Sequence, residues 1–129
     1  MDEELLSRQL PQSLEAEQAV LGSILIDSRC ITDVVGIVKP EDFYLQQNRE
    51  IFEAIYTMFN FSQTIDPVTV LDKLKELGYY HDNSRDYILQ LMEITPTAAN
   101  VVRYANIVRD KAMLRELNQA ATDIHEMVS

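Results

Sequence analysis

The residues able to do chemistry are few and poorly placed for it. A phosphate loop needs the pattern G-x-x-x-x-G-K-[ST], and Gly22, Gly36 and Gly78 cannot supply it. His81 and His125 lie far apart and lack metal-ligand spacing. His81 beside Asp82 reads as a surface-loop pair, and His125, among polar residues, as a solvated side chain. Cys30 has Arg29 next to it but no histidine nearby, so nothing in the local sequence activates it as a nucleophile. Flanked by Ile31, Val34 and Val35, it reads as a buried core thiol. Adjacent carboxylates such as Glu41–Asp42 suggest a general acid and base, but with 21 Asp and Glu in the chain such pairs arise by chance. The Tyr and Phe residues fall at core spacing and are not interleaved with basic residues as a base-stacking platform requires. No catalytic, cofactor-binding or metal site is therefore expected in this chain.

Charge narrows the partners. Eleven Lys and Arg stand against 21 Asp and Glu, a net charge of −10. Nucleic-acid binding ordinarily leaves a basic footprint, so direct DNA binding is not expected. The acidity serves solubility, or, on a sharper reading, complements a basic partner surface. One cysteine excludes an internal disulfide and fits a reducing cytosol. No signal peptide opens the chain, and the longest apolar stretch, Ala19 to Ile26, is too short to span a bilayer. A cytoplasmic protein without membrane contact is expected.

The elements that must position any site are helical. Residues 1–11 are expected to form a loose leader, residues 12–96 a globular head, and residues 97–129 one long helix. Ser13 reads as an N-cap, with Glu15 and Glu17 placed to favour the positive end of the helix dipole. The first helix runs to Ile26 and buries Leu14, Val20, Leu21, Ile24 and Leu25. Asp27 caps a second helix carrying Cys30, Ile31, Val34, Val35 and Val38, which Pro40 stops. Phe43 and Tyr44 sit on a connector held against the core. A third helix spans about 47–60 with Ile51, Phe52, Ile55, Tyr56 and Phe59 on one stripe. Asp66 and Pro67 start a fourth helix, with Val70, Leu71, Leu74 and Leu77 inward and Gly78 ending it. Ser84 caps a short fifth helix with Tyr87, Ile88, Leu91 and Met92. Pro96 breaks the chain and Thr97 caps the sixth helix. Gly22, inside the first helix, marks a close helix packing, since an exposed mid-helix glycine costs about 1 kcal/mol against alanine.

The sixth helix is the informative one. From Thr97 to Val128 there is no Gly or Pro, and apolar residues recur at helical spacing from Val101 onward. Such a helix rises about 46 Å, while the roughly 96 preceding residues make a globule about 32 Å across. It should overshoot its own head. Val101 to Val108 are expected to pack back on the head and the distal half to project. Four large aliphatics left in water would forgo roughly 6–12 kcal/mol of burial, so Ile107, Leu114, Leu117, Ala121, Ile124 and Val128 form a candidate subunit or partner interface. The chain reads as a segment of a larger protein that supplies the missing cover. The fold class is all-α: a compact head of about five helices followed by a long projecting helix.

Three segments carry a family resemblance. They are Pro11-Gln12-Ser13-Leu14-Glu15-Ala16-Glu17-Gln18-Ala19-Val20-Leu21-Gly22-Ser23-Ile24-Leu25, then Phe43-Tyr44 with Ile51-Phe52-Glu53-Ala54-Ile55, then Pro96-Thr97-Ala98-Ala99-Asn100-Val101 with Tyr104-Ala105 and Ile107-Val108. Asp66-Pro67-Val68-Thr69-Val70 adds a fourth. Together they resemble the N-terminal domain of the bacterial replicative DNA helicase of the DnaB type. The sequence departs from that pattern at Asn48, where the family often has histidine, and at Asn83-Ser84-Arg85-Asp86, where it often has a Gly-Gly turn. The resemblance implies a helical head followed by an antiparallel helical hairpin, of which the sixth helix is the first arm. It implies arms paired between neighbouring copies, a threefold collar on a hexamer, and primase as a partner, with a helicase loader as a further one. ATP and Mg2+ would belong to a C-terminal motor domain absent from this chain. Two other readings are the helicase-binding domain of a primase and a small helical DNA-binding regulator. The first is disfavoured by the N-terminal motif. The second is disfavoured by Asp86 and Glu93, which stand on the fifth helix where a groove-reading helix needs basic residues.

Overall fold

Ser13 starts the first helix, α1 (Leu14–Ile26), because its backbone is extended (φ −143°) and its hydroxyl accepts the Ala16 N–H at 3.2 Å. The computed structural model describes residues 10–129; most of the expected leader lies outside the described residues. Six α-helices and no strand occur among the described residues. Eight of the thirteen α1 residues are buried, so α1 is the central helix and touches α3, α5 and α6 (ranges below). Leu14 departs from expectation. It sits at the first turn, 38% exposed, before the helix enters the core.

The second predicted helix is shorter and broken. Asp27 accepts the Arg29 N–H at 3.2 Å and opens a 3₁₀ turn, Ser28–Cys30, that leads into one helical turn, α2 (Ile31–Val34). Gly36 and the β-branched run around it have weak helix propensity and do not extend it. Cys30, Ile31, Val34 and Val38 are buried as expected, and Val35 is half-buried.

A second 3₁₀ turn, Pro40–Asp42, opens the connector, closed by the Asp42 carboxylate accepting the Lys39 N–H at 2.9 Å. Phe43 then drops into the core and stacks on Phe52, ring centroids 4.8 Å apart. Helix α3 (Gln46–Asn60) buries Ile51, Phe52 and Ile55, with Ala54 and Met58 in addition; Tyr56 and Phe59 form its half-buried edge.

Helix α4 (Pro67–Leu77) has the clearest local encoding. Asp66 accepts the Thr69 N–H at 2.8 Å while the Thr69 hydroxyl accepts the Asp66 N–H at 2.9 Å, and Pro67 has no N–H to satisfy. Gly78 ends it in the left-handed region (φ 77°), and the Tyr79 N–H reaches back to the Leu74 carbonyl at 2.8 Å. Helix α5 (Ser84–Glu93) follows. Ser84 is its first residue and not its cap: the Ser84 hydroxyl instead accepts the His81 N–H at 2.8 Å. His81 reaches Glu50 on α3, 2.8 Å away, and not Asp82.

The last helix, α6 (Val101–Val128), begins four residues after Thr97. The Thr97 hydroxyl accepts the Ala99 N–H at 3.1 Å in a local turn, so it shapes the approach without capping the helix, and Asn100 stands at the cap position.

Candidate interface on the sixth helix

Helix α6 has two apolar faces, one on its head-packed half and another on its distal half. Val101, Ala105, Val108 and Ala112 are buried against the head, and α1 is their main contact. Beyond Ala112 no residue of the helix is buried. Leu114, Leu117, Ala121, Ile124 and Val128 advance in steps of three and four, the a/d spacing of a coiled-coil seam. At 3.6 residues per turn, their centre lies roughly 170° around the axis from the buried face. Leu117 and Ile124 are each 63% exposed and Val128 is 80% exposed. The segment Met113–Val128 rises about 24 Å. The seam therefore does not continue the face that packs on the head; it looks the other way.

Ile107 differs from the other candidates in exposure: it is half-buried and packs against the head core at the root of the projecting arm, one heptad before Leu114. Leu114, Leu117, Ala121, Ile124 and Val128 are exposed where the sequence placed them. The alternation of three and four was legible in the sequence, but the buried residues upstream obscured it.

The head holds α6 with two arginines. Arg109 donates to the buried Asp42 carboxylate at 2.9 Å. Arg115 donates to the Pro11 carbonyl at 2.8 Å and the Asp42 carbonyl at 2.7 Å, and its guanidinium lies 5.4 Å from the centroid of the Tyr44 ring. The connector that receives these contacts is fixed from behind by Glu17. Its carboxylate accepts the Tyr44 N–H at 2.7 Å, the Leu45 N–H at 3.3 Å and the Asn48 amide at 3.0 Å. The Tyr87 hydroxyl donates to Asn48 and accepts from Gln18, and burial pushes its pKa up. Sequence reading assigned Glu17 to the dipole of its own helix. In the fold it is 1% exposed and holds the two backbone amides just ahead of a different helix, α3, together with the Asn48 side chain. Asn48, the departure at the family's histidine position, is a fully buried member of this hub.

The remaining reactive groups are quiet. Cys30 is buried among apolar residues, and burial, with Asp27 and Asp33 nearby, pushes its thiol up to about 11. Alkylation by iodoacetamide at pH 8 should therefore run about 100-fold slower in the native protein than in the urea-unfolded chain. The unfolded chain loses this proton first as pH rises, so the group lowers stability between about pH 9 and 11. No group of three His, Cys, Asp or Glu residues able to hold a metal occurs among the described residues. A groove of about 260 Å³ between α1 and the turn before α6 is lined by Glu15, Gln18, Thr95, Pro96 and Tyr104 and gathers no catalytic set. No helix among the described residues is long and apolar enough to cross a membrane.

Comparison with known proteins agrees with this architecture. The replicative DNA helicase DnaB of Leifsonia xyli is 38% identical over 118 residues, covering 91% of this chain and 26% of the relative. That of Geobacillus stearothermophilus is 39% identical over 128 residues, covering 94% of this chain and 27% of the relative. The chain thus spans about a quarter of the length of these curated relatives. Among solved structures, the N-terminal domain of DnaB helicase from Mycobacterium tuberculosis superposes with a TM-score of 0.85 at 37% identity, covering 92% of this chain and 86% of that one. The corresponding Helicobacter pylori domain shares the fold, with a TM-score of 0.77 at 22% identity, covering 99% of this chain and 98% of that one. The family model of the DnaB-like helicase N-terminal domain matches residues 9–110. With that match over most of its length, and with its helical head and long sixth helix, the chain belongs to the DnaB-like helicase N-terminal domain family.

Proposed function

We propose that this chain is the non-catalytic assembly and partner-docking module of a hexameric bacterial replicative helicase. The observation that carries the reading is the exposed a/d seam of α6, turned away from the head. An apolar seam of that length on a helix already anchored at its root is suited to pairing with another helix. The module pairs with further copies of itself in the collar of the ring and receives primase, with a helicase loader as a second client. Primase is supported by the Helicobacter pylori domain, whose structure was described together with its interactions with primase. Unwinding of duplex DNA in the bacterial cytosol, and the ATP and Mg2+ it needs, fall to the motor of such a helicase. This chain's acidic surface fits it for protein contacts and not for gripping DNA.

Sedimentation velocity across a concentration series tests the reading. The chain should self-associate weakly, and Leu117→Glu or Ile124→Glu should abolish the association, because each places a charge in the seam. Both variants should keep the head's helical circular dichroism and melting temperature, since neither residue touches the core. In a full-length helicase carrying the same changes, ring assembly should fail. Loss of head folding in either variant would show the seam to be core and end the proposal.

A further inference from the structure

Arg115 stands where α6 leaves the head. Ala112 is the last buried residue of the helix, and every residue from Glu116 to Ser129 is exposed. Arg115 is the last side chain of the helix that hydrogen-bonds to the head. Its partners come from three places: the Pro11 carbonyl ahead of α1, the Asp42 carbonyl of the connector, and the face of Tyr44. One planar guanidinium satisfies all three at once, which a lysine ammonium cannot do. Arg109 grips the same connector through the Asp42 carboxylate. Around the helix, the two arginines lie roughly 120° apart, one on each side of the buried face.

The apolar packing beneath this exit is thin. Near it α6 buries only Val108 and Ala112, with Ile107 half-buried beside them, and the small alanine gives little resistance to tilt. The connector, by contrast, is rigid: Glu17 holds the Tyr44 and Leu45 amides, and Arg49 holds the Phe43 and Tyr44 carbonyls at 3.3 and 3.2 Å. The geometry points to Arg115 as a positioning residue that sets the direction in which the arm leaves the head. The contacts form a joint, with the rigid connector as its socket and the arm as its lever. Its consequence for presenting the seam to a second copy rests on the assembly reading above; the joint itself does not.

The joint is tested inside one molecule, by electron–electron distance measurements between nitroxide labels. In a Cys30→Ala background, Glu76→Cys on α4 and Asp123→Cys on the arm accept the labels, both at exposed positions. Dilution with unlabelled chain keeps the measured pairs intramolecular. Arg115→Ala should broaden the head-to-arm distance distribution about twofold, as expected once the last charge-assisted contacts on the element are gone. Arg115→Lys should fall between the two. Arg115→Ala removes a donor from neutral carbonyls and strands no buried charge, so the head's thermal transition should stay within a few degrees of wild type. An unchanged distribution in Arg115→Ala would overturn the joint. So would loss of the head's cooperative melting, because the arginine would then belong to the head's own stability. Failure of the chain to self-associate would count against the assembly reading and leave this distance result unaffected.

Discussion

Replacing Glu17 by alanine is expected to destabilise the head by about 3–5 kcal/mol. The carboxylate is buried and accepts from two backbone amides and the Asn48 side chain. Removing it leaves three donors without a partner where water has poor access, and each such donor costs roughly 1–3 kcal/mol. It also removes a negative charge from the N-terminal end of α3, where the helix dipole favours one. The melting temperature should fall by roughly 10–20 °C, and the urea midpoint should fall in step. Glu17→Gln keeps the volume and one acceptor oxygen but turns an amide toward donors, so about half that loss is expected. A change below about 1 kcal/mol in Glu17→Ala would mean that the hub is not a structural element of the head. The effect should be global and not local, because the hub ties α1, α3 and α5 together through Gln18, Asn48 and Tyr87.

Gly22→Ala should be nearly as damaging, and its sign is diagnostic. By helix propensity alone, alanine in the middle of α1 would stabilise the protein by about 1 kcal/mol. The packing says the reverse. A methyl group at Gly22 would lie 2.5 Å from the Leu91 carbonyl oxygen and 2.9 Å from the Thr95 β-carbon, and closer still to the Thr95 hydroxyl. That hydroxyl already donates to the Leu91 carbonyl at 2.7 Å. The Leu91 oxygen is backbone, so α1 and α5 must separate to admit the methyl. A loss of about 3 kcal/mol is expected, at the upper end of overpacking penalties. Adding Thr95→Ala should restore only part of it, since the Leu91 carbonyl stays. Chemical denaturation of the single and double variants measures both numbers. A stabilised Gly22→Ala protein would show that the two helices have room to spare.

Both predictions fall on residues whose importance the sequence showed unevenly. The Gly22 contact was legible, because a glycine inside a strongly apolar helix has few other reasons to be there. Glu17 was misassigned because a carboxylate in a first helical turn has a ready local explanation. Its actual partners, Tyr44, Leu45 and Asn48, lie in a distant stretch of chain. Tyr44 was placed on the connector, against the core; that Arg115 covers it could not be read from either residue.

The all-helical fold, the bounds of α1, α3 and α4 and the presence of a long sixth helix were legible in the residues alone. These follow from short-range physics: capping side chains, proline and glycine at helix ends, and apolar period. Resemblance in the motifs pointed to the family. Which way each polar group faces, and how the two halves of α6 divide their labour, depended on how the helices pack. Helical spacing records that apolar residues recur, but the face each one presents depends on where the head lies around the axis. For the same reason Leu14 could be read as core until the packing of α1 against α6 fixed the inside of the molecule.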